Sequence, residues 1–247
     1  MALSSPAPQF RAHFGKCDTH GDYQQNFLDD AGCERWLPSC PHCARETRVR
    51  SLVDRAAIPP RFQDRTLESY RAESEGQARA LRVAQSYAER FDEALAVGRC
   101  LTFVGKPGTG KTHLACAIAR RVMQDGRTAL FVSVSDLIRS VRATWGKKTG
   151  KTEEDVLNAY TAVDLLVIDE VGAQYGSEAE QVTLFEVIDR RHKNLRPMIV
   201  LSNLPVQSDD PDQPTLKAFL GDRGFDRLRE GGGRLVMFDW PSYRRNV

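Results

Sequence analysis

One stretch in the middle of the chain has the residue types and order that bind nucleotide phosphates. It runs from Gly105 to Thr112 and reads Gly-Lys-Pro-Gly-Thr-Gly-Lys-Thr, the P-loop pattern G-x-x-x-x-G-K-T. Its glycines let successive backbone N–H groups face phosphate oxygens, and the following helix adds the positive end of its dipole. In this pattern Lys111 contacts the β- and γ-phosphates, and Thr112 binds Mg²⁺. We predict an ATP site with these contact residues: Gly105, Lys106, Pro107, Gly108, Thr109, Gly110, Lys111, Thr112 and His113.

Two acids and an asparagine follow apolar runs further along the chain. Asp169 and Glu170 come directly after the run 163–168. We expect Asp169 to hold Mg²⁺ and Glu170 to polarise the attacking water, because a metal-bound carboxylate leaves a second acid to act as base. Asn203 lies just beyond the run 198–201 and is expected to orient that water or contact the γ-phosphate. The alternative for Asn203 is an ordinary turn, since it begins the sequence Asn-Leu-Pro.

Four of the six cysteines lie within the first 43 residues, in a pattern typical of a zinc site. Cys17 and His20 form one pair, Cys40 and Cys43 form another, and two residues separate the members of each pair. Such pairs form tight turns that direct two donors each toward a tetrahedral Zn²⁺. Alternatives are that Cys33 replaces His20, that His42 is a further donor, or that these are free cysteines in an N-terminal arm.

These residues must be positioned by secondary structure, and the pattern is one of alternating strands and helices. Continuous apolar runs predict five strands, at 100–104, 128–134, 163–168, 198–201 and 234–238. Helices are expected at 70–97, at 113–123 and at 135–145, the last one capped by Ser135 or Asp136. Continuous apolar strands between helices indicate a parallel α/β sheet covered on both faces, with ligands at the carboxyl ends of the strands. The P-loop, the acid pair and Asn203 should therefore meet at one nucleotide.

The composition is that of an ordinary globular domain. The chain has 247 residues, 41% of them hydrophobic and 28% charged, with a net charge of +2. Disordered and collagen-like chains are excluded, and no apolar run approaches the ~20 residues of a membrane span. Residues 1–14 contain no apolar segment typical of a secretory signal, so we expect a cytoplasmic protein. We predict two domains, a zinc-binding and partner-binding module with a basic helix (44–57) at 1–58 and the nucleotide domain at 59–247.

Two segments resemble a known family. The stretch Gly105–Ala115, taken with Val163–Gly172, resembles the AAA+ ATPases of the DnaC/IstB group, and the similarity covers roughly residues 60–247. Within this group, Tyr70–Gly76 and the sequence Trp-Pro-Ser-Tyr-Arg at 240–244 resemble DnaC-type helicase loaders. The resemblance implies an α/β P-loop AAA+ domain with a five-stranded parallel sheet sandwiched by helices. We expect no C-terminal helical lid, because the chain stops just after the fifth strand.

The resemblance also implies an ATPase, weak by itself, that assembles side by side. Each site is then completed by an arginine from the neighbouring subunit, which stabilises charge on the transferred phosphoryl group. By position in the segment 221–229, Arg227 is the expected finger and Arg223 the runner-up. Arg244 matches the family's second sensor, which contacts the nucleotide of its own subunit.

Single-stranded DNA and a replicative helicase are the partners that the resemblance implies. The basic segment 139–151 surrounds one aromatic residue, which could stack on a base while cations track phosphates. Its expected DNA contacts are Arg142, Trp145, Lys147 and Lys148. The alternative is a solvated basic helix with Trp145 in the core, and the loop 172–180 is a second DNA candidate.

Three functions follow from these observations. The first is an ATP-dependent loader that binds the replicative helicase, through its N-terminal module, and places it on single-stranded DNA. The second is an IstB-like ATPase that regulates transposition on duplex DNA. The third is a zinc-dependent adaptor whose nucleotide only stabilises the fold, although intact Lys111, Asp169 and Glu170 count against it.

Overall fold

The computed structural model describes residues 10–145, 150–173 and 178–243, without the side chains at 48–50, 53, 54, 178 and 179. Internal contacts divide the chain into a first unit ending at Ser51 and a second unit beginning at Leu52. The domain boundary expected after residue 58 lies beyond this division. Ala56 and Ile58 are buried in a core of the second unit, and the Ala56 carbonyl accepts a hydrogen bond from the Phe131 N–H at 2.7 Å.

The first unit consists of two small hairpins and most of a helix, whose last residues belong to the second unit. Strand β1 (Phe14–Cys17) pairs antiparallel with β2 (Gly21–Gln24), and β3 (Asn26–Leu28) pairs with β4 (Glu34–Trp36). Asn26 is fully buried, and its side chain accepts from His13 N–H at 2.7 Å and donates to the Arg11 carbonyl at 2.8 Å. Helix α1 spans Pro41–Arg55. It begins before the expected residue 44, because proline fits the first turn of a helix.

The second unit contains the predicted parallel sheet. Its strands are β5 (Leu101–Gly105), β6 (Ala129–Ser133), β7 (Leu165–Val171), β8 (Met198–Ser202) and β9 (Arg234–Phe238). They are all parallel, in the order β6-β7-β8-β5-β9. Its helices are α2 (Glu75–Glu89), α3 (Phe91–Ala96), α4 (Lys111–Gln124), α5 (Val134–Arg142), α6 (Glu153–Ala162), α7 (Glu178–Lys193) and α8 (Leu216–Arg229).

Apolar side chains on the two faces of the sheet join separate cores. Phe103 of β5 packs in one core with residues of α2 and α4, whereas Val104 packs in the other core with residues of α5, α7 and α8. Successive strand residues point to opposite faces, so a continuous apolar strand needs cover on both sides. The predicted α/β class, with a five-stranded parallel sheet sandwiched by helices, is confirmed.

Several element boundaries differ from the expected ones. The pattern at 70–97 forms two helices, and the Ser74 side chain caps the first of them by accepting from Gln77 N–H. The expected cap of the third helix was wrong, because the Ser133 hydroxyl accepts from Asp136 N–H at 3.1 Å and α5 begins at Val134. Strand β7 continues past residue 168 to Val171, with an irregular register at its end. None of the described helices is long and apolar enough to cross a membrane.

Candidate functional site

The P-loop connects β5 to α4 at the carboxyl end of the sheet. Gly110 has a φ of 96°, and a Cβ there would lie 2.8 Å from the Tyr70 ring, so this position requires glycine for two reasons. Gly105 lies against β9, where a Cβ would be 2.2 Å from the Phe238 carbonyl oxygen. The loop is therefore closely enclosed before the helix begins.

Lys111 lies across this loop and is only 6% exposed. Its Nζ donates to the carbonyl oxygens of Gly105 at 2.6 Å and Lys106 at 2.9 Å. An ammonium held by the carbonyls of its own loop lies among backbone N–H groups that suit phosphate. Nucleotide binding would exchange these carbonyl contacts for contacts to phosphate oxygens.

The P-loop and the acid pair meet directly. The Thr112 hydroxyl donates to Asp169 Oδ2 at 3.0 Å, although 57 positions separate the two residues in sequence. Burial raises the pKa of the Asp169 carboxyl, and the Glu170 N–H, the Thr112 hydroxyl and the Lys111 ammonium oppose that rise. A hydroxyl beside a carboxylate is a donor pair that suits Mg²⁺. The structure thus brings together the two residues expected to hold the metal.

Glu170 has an unusual backbone conformation for a residue with a side chain. Its φ is 62°, its N–H donates to Asp169 Oδ1 at 2.7 Å, and its carbonyl accepts from Ala173 N–H at 3.0 Å. Such strain in a non-glycine residue costs of the order of 1–3 kcal/mol and collects at functional sites. The half-buried Asp169 and the exposed Glu170 both line the same cleft.

Asn203 also lines this cleft and lies just beyond the end of β8. Sequence reasoning missed the residue that positions it, Ser202, which is 1% exposed. The Ser202 hydroxyl donates to the Val171 carbonyl at 2.7 Å and accepts from Leu204 N–H at 3.1 Å. These hydrogen bonds hold the ends of β7 and β8 together. Glu170 comes directly before Val171 in sequence, and Asn203 comes directly after Ser202.

The cleft has a volume of about 1120 Å³, and two segments that are distant in sequence close it. Trp240 Nε1 donates to the Thr109 carbonyl at 2.9 Å, and Tyr243 N–H donates to the Gly108 carbonyl at 3.0 Å. From the other segment, Tyr70 lies edge-on to Tyr243, with ring centroids 6.2 Å apart. These aromatic residues were noted in the sequence only for the family resemblance, and nothing in their local pattern identifies them as P-loop supports.

His113, expected to contact nucleotide, lines the cleft but is also held by the segment before α2. Its Nε2 lies 3.0 Å from the Thr66 carbonyl oxygen and 3.2 Å from Ser69 Oγ. Burial lowers the pKa of this imidazole. The neutral ring therefore links α4 to residues 66–69.

The two Cys/His pairs of the first unit meet at one point. Their donor atoms, from Cys17, His20, Cys40 and Cys43, all lie within 4.8 Å of one another. His20 Nδ1 lies 3.4 to 3.8 Å from the three sulfurs, and the Sγ atoms of Cys17 and Cys43 are 3.5 Å apart. In a tetrahedral site with Zn–S bonds of about 2.3 Å, sulfurs lie about 3.8 Å apart. Both the donor set and its spacing fit Zn²⁺.

Backbone and side-chain hydrogen bonds around the cluster also suit a metal. The backbone N–H groups of Thr19 and His20 lower the pKa of the Cys17 thiol to about 6, and the adjacent Cys17 raises that of Cys43 to about 11. His20 Nε2 lies 3.1 Å from Glu46 Oε1, which directs Nδ1 toward the sulfurs. Cys33 is exposed and outside the cluster, and the His42 ring stacks on His20 at 5.2 Å.

The arginines expected at subunit contacts differ in their surroundings. Arg227 Nη2 lies 2.6 Å from Asp189 Oδ1, and its guanidinium lies over the Phe185 ring at 4.6 Å from the centroid. Arg223, one turn earlier on α8, is exposed. Arg244 lies outside the described residues.

The expected DNA contacts are only partly within the described ranges. Arg142 Nη2 lies 3.0 Å from Glu180 Oε1, and Trp145 Nε1 donates to Glu153 Oε2 at 3.2 Å. The Trp145 side chain is 66% exposed and is therefore not in the core. Lys147 and Lys148 lie outside the described residues, as do residues 174–177 of the second candidate loop.

Comparisons with known proteins agree on one group. A family model described as IstB-like ATP binding protein matches residues 38–231. The replicative helicase loader DnaC of Escherichia coli (strain K12) is 38% identical over 203 residues, which are 82% of this chain and 78% of that protein. DnaC of Buchnera aphidicola subsp. Acyrthosiphon pisum (strain APS) is 36% identical over 200 residues, 81% of this chain and 77% of that protein.

Solved structures of replication proteins also resemble this chain. A crystal structure of the DnaC helicase loader superposes with a TM-score of 0.62 at 26% identity, covering 72% of this chain and 99% of that one. The replication initiator DnaA, bound to AMPPCP and single-stranded DNA, has a TM-score of 0.59 at 25% identity, covering 75% and 52%. The family match includes the P-loop, Asp169, Glu170 and Asn203, begins after Cys17 and His20, and ends before Trp240 and Tyr243.

Proposed function

The chain belongs to the IstB/DnaC family of ATP-binding AAA+ ATPases, and we propose that it is an ATP-dependent loader of a replicative DNA helicase. The similarity to DnaC across 82% of the chain is the observation that carries this proposal. The intact nucleotide site supports it, because a loader needs ATP to control its assembly and release. A protein with this role acts on replicating DNA inside the cell, so we also infer a cytoplasmic location.

We propose the following division of roles for ATP hydrolysis. Thr112 and Asp169 would hold Mg²⁺, which supplies charge neutralisation between the β- and γ-phosphates. Lys111 and the N–H groups of the P-loop would bind the phosphate oxygens. Glu170, on its strained turn, would accept a proton from the attacking water, and Asn203, which lines the same cleft, would orient that water.

An arginine from a second copy would complete each site. A finger must reach a phosphate of the neighbouring subunit, and exposure of the guanidinium favours that reach. Arg227, the first choice from its position in the sequence, is ion-paired with Asp189, whereas Arg223 is exposed. Mixing each arginine variant with a Glu170→Gln subunit separates them. Only for a finger that acts in trans should turnover recover, because the Glu170→Gln subunit then supplies an intact arginine to the variant's intact site.

Single-stranded DNA would bind along α5 and the turn that follows it. Trp145 offers an exposed ring for base stacking, which contributes ~1–3 kcal/mol per base. Arg142 is held by Glu180, so a DNA phosphate would compete with that carboxylate. Lys147 and Lys148 would add phosphate contacts, and binding should weaken steeply with salt.

The first unit would bind Zn²⁺ through Cys17, His20, Cys40 and Cys43 and present a surface to the helicase. Zinc would fix the relative positions of the β1–β2 hairpin and the first turn of α1, since each supplies two ligands. Few apolar residues are buried in this unit, so metal binding would supply much of its folding free energy.

Helicase loading is tested with the full chain and the replicative helicase of the same organism. Single-stranded DNA coated with single-stranded-DNA-binding protein excludes the helicase when it is added alone. The loader should restore unwinding of a duplex on that DNA in the presence of ATP. A Glu89→Gln variant, which changes an exposed residue at the end of α2, should load the helicase normally. If the unaltered protein gives no unwinding and no complex with the helicase, the loader proposal is wrong.

The IstB-like alternative is retained, since the matching family model carries that description. Such a protein would assemble on duplex DNA and recruit a transposase. Binding to duplex and single-stranded oligonucleotides of equal length distinguishes the two functions, because a loader prefers the single strand.

A further inference from the structure

Three arginines surround one small depression at the end of the sheet that is opposite the nucleotide cleft. Arg90 follows α2, Arg99 precedes β5, and Arg234 begins β9, and all three line the depression. Leu101, the first residue of β5, also lines it, whereas the P-loop begins at the other end of that strand. The volume is about 50 Å³. The depression is therefore separate from the ATP site.

A run of three glycines, 231–233, brings two of these arginines together. Arg99 Nε donates to the Gly231 carbonyl at 3.3 Å. At position 231, a Cβ would lie 2.4 Å from the Val97 carbonyl oxygen, so only glycine allows this approach. Arg234 follows the run directly, and its N–H donates to the Cys100 carbonyl at 3.0 Å. Packing of the backbone thus fixes the bases of both side chains at the rim.

The charges of these arginines are not balanced locally. Among the described residues, no carboxylate lies within 4.0 Å of the Arg90, Arg99 or Arg234 guanidinium. Two acids of adjoining segments have other partners, since Asp92 pairs with Arg127 and Glu230 with His192. Arginine stays protonated across the physiological pH range, so the lining of the depression carries three positive charges.

From this arrangement we propose that the depression binds a phosphate group. A tetrahedral oxyanion presents oxygens in several directions, which suits a depression lined by arginines from three segments, and arginine forks bind phosphate strongly. The Ser86 side chain, which also lines the depression, adds a hydroxyl. The volume is far below the ~300 Å³ of pockets that hold whole small molecules, so the site takes one phosphate group rather than a nucleotide. That group is either free phosphate or a phosphodiester of single-stranded nucleic acid.

The test uses the full chain saturated with Mg²⁺–ADP, because the P-loop would otherwise bind phosphate itself. Inorganic phosphate is titrated calorimetrically at constant ionic strength. An Arg90→Gln/Arg234→Gln variant removes two exposed cations and leaves Arg99 in place. We expect its phosphate affinity to fall about tenfold or more, as loss of charge-assisted hydrogen bonds requires.

The matched control is Arg79→Gln/Arg82→Gln, which removes the same charge from exposed positions of α2 outside the depression. It should bind phosphate as the unaltered protein does, and thermal unfolding should show that both variants fold. The proposal is overturned if the unaltered protein binds no phosphate, or if the two double variants bind it equally well.

Salt titrations with a single-stranded oligonucleotide identify the source of the phosphate. If it belongs to nucleic acid, the Arg90/Arg234 variant binds the oligonucleotide more weakly, and its slope of log K against log salt falls by about 0.7. If free phosphate is the ligand, the Arg90/Arg234 variant binds the oligonucleotide as tightly as the unaltered protein does. Its affinity for phosphate, measured by calorimetry, is still lower. Neither result depends on helicase loading, so this proposal and the loader function can fail separately.

Discussion

The same substitution at two neighbouring arginines of α7 should cost very different amounts of stability. Arg191 is fully buried, and its guanidinium donates to carbonyls at the end of α6 and just before β7 and β8. These hydrogen bonds measure 2.6 to 3.1 Å, and their acceptors are Pro197, Tyr160, Val163 and Asp164. Arg190 instead pairs with Glu154 and Glu186, each at 2.7 Å, on the surface. Counting ion pairs would rank Arg190 as the more important residue.

Arg191→Met should be the more damaging change. Each buried carbonyl left without a donor costs ~1–3 kcal/mol of stability. Water that enters the site can bond some of these carbonyls and so reduces their total cost. We therefore expect the free energy of unfolding of the second unit to fall by about 3–5 kcal/mol, as for other buried charged networks that lose one partner. Arg190→Met should cost at most about 1 kcal/mol, because its carboxylate partners are partly exposed and screened.

Urea unfolding followed by tryptophan fluorescence measures this difference. Trp240 is 6% exposed in the second unit, whereas Trp36 and Trp145 are 55% and 66% exposed, so the spectral change on unfolding comes mainly from Trp240. In thermal scans the Arg191 variant should melt about 10 °C lower. Equal destabilisation by both variants, or a larger loss from Arg190→Met, would show that the buried carbonyl network does not determine stability here.

Further predictions concern the two candidate sites. Lys111→Ala should abolish ATP binding measured with a fluorescent analogue, since the P-loop loses its cation; retained affinity would contradict the P-loop assignment. Glu170→Gln should bind ATP as tightly as before and release at most about 1% of the normal phosphate, because no base remains for the water; normal turnover would require another base. Elemental analysis should find about one zinc per chain, lost in Cys40→Ser and kept in the matched Cys33→Ser; metal-free protein with a folded first unit would reject the zinc site.

Short contiguous motifs made much of the site predictable. A P-loop is defined by what eight adjacent residues must do around phosphates, so its place between a strand and a helix follows from local sequence. The alternation of apolar runs then fixed the parallel class of the sheet, and carboxyl-end geometry placed Asp169 beside Thr112. The Cys/His cluster was predictable for the same reason, since the two residues of each pair are close in sequence.

What could not be predicted depends on contacts between distant segments. Trp240 and Tyr243 support the P-loop from more than a hundred positions away, and no periodicity marks that role. Arg191 and Arg190 have the same chemistry and adjacent positions, so only the packing of α7 determines which one is buried. The cap of α5 shows the same limit on a smaller scale, because Ser133 and Ser135 both suit a cap and the end of β6 decides between them.

The bend at Glu170 depends on both local and distant contacts. An apolar strand that stopped at residue 168 would leave both acids in a free loop, but β7 continues and the chain turns through a φ of 62° at Glu170. That conformation is unfavourable, so contacts around it must hold it: the Asp169 carboxylate accepts the Glu170 N–H, and Ser202 binds the Val171 carbonyl. Asp169 therefore faces Thr112 while Glu170 faces the open cleft. In the proposed mechanism Asp169 holds the metal and Glu170 acts as the base, and this bend gives the two adjacent carboxylates different surroundings.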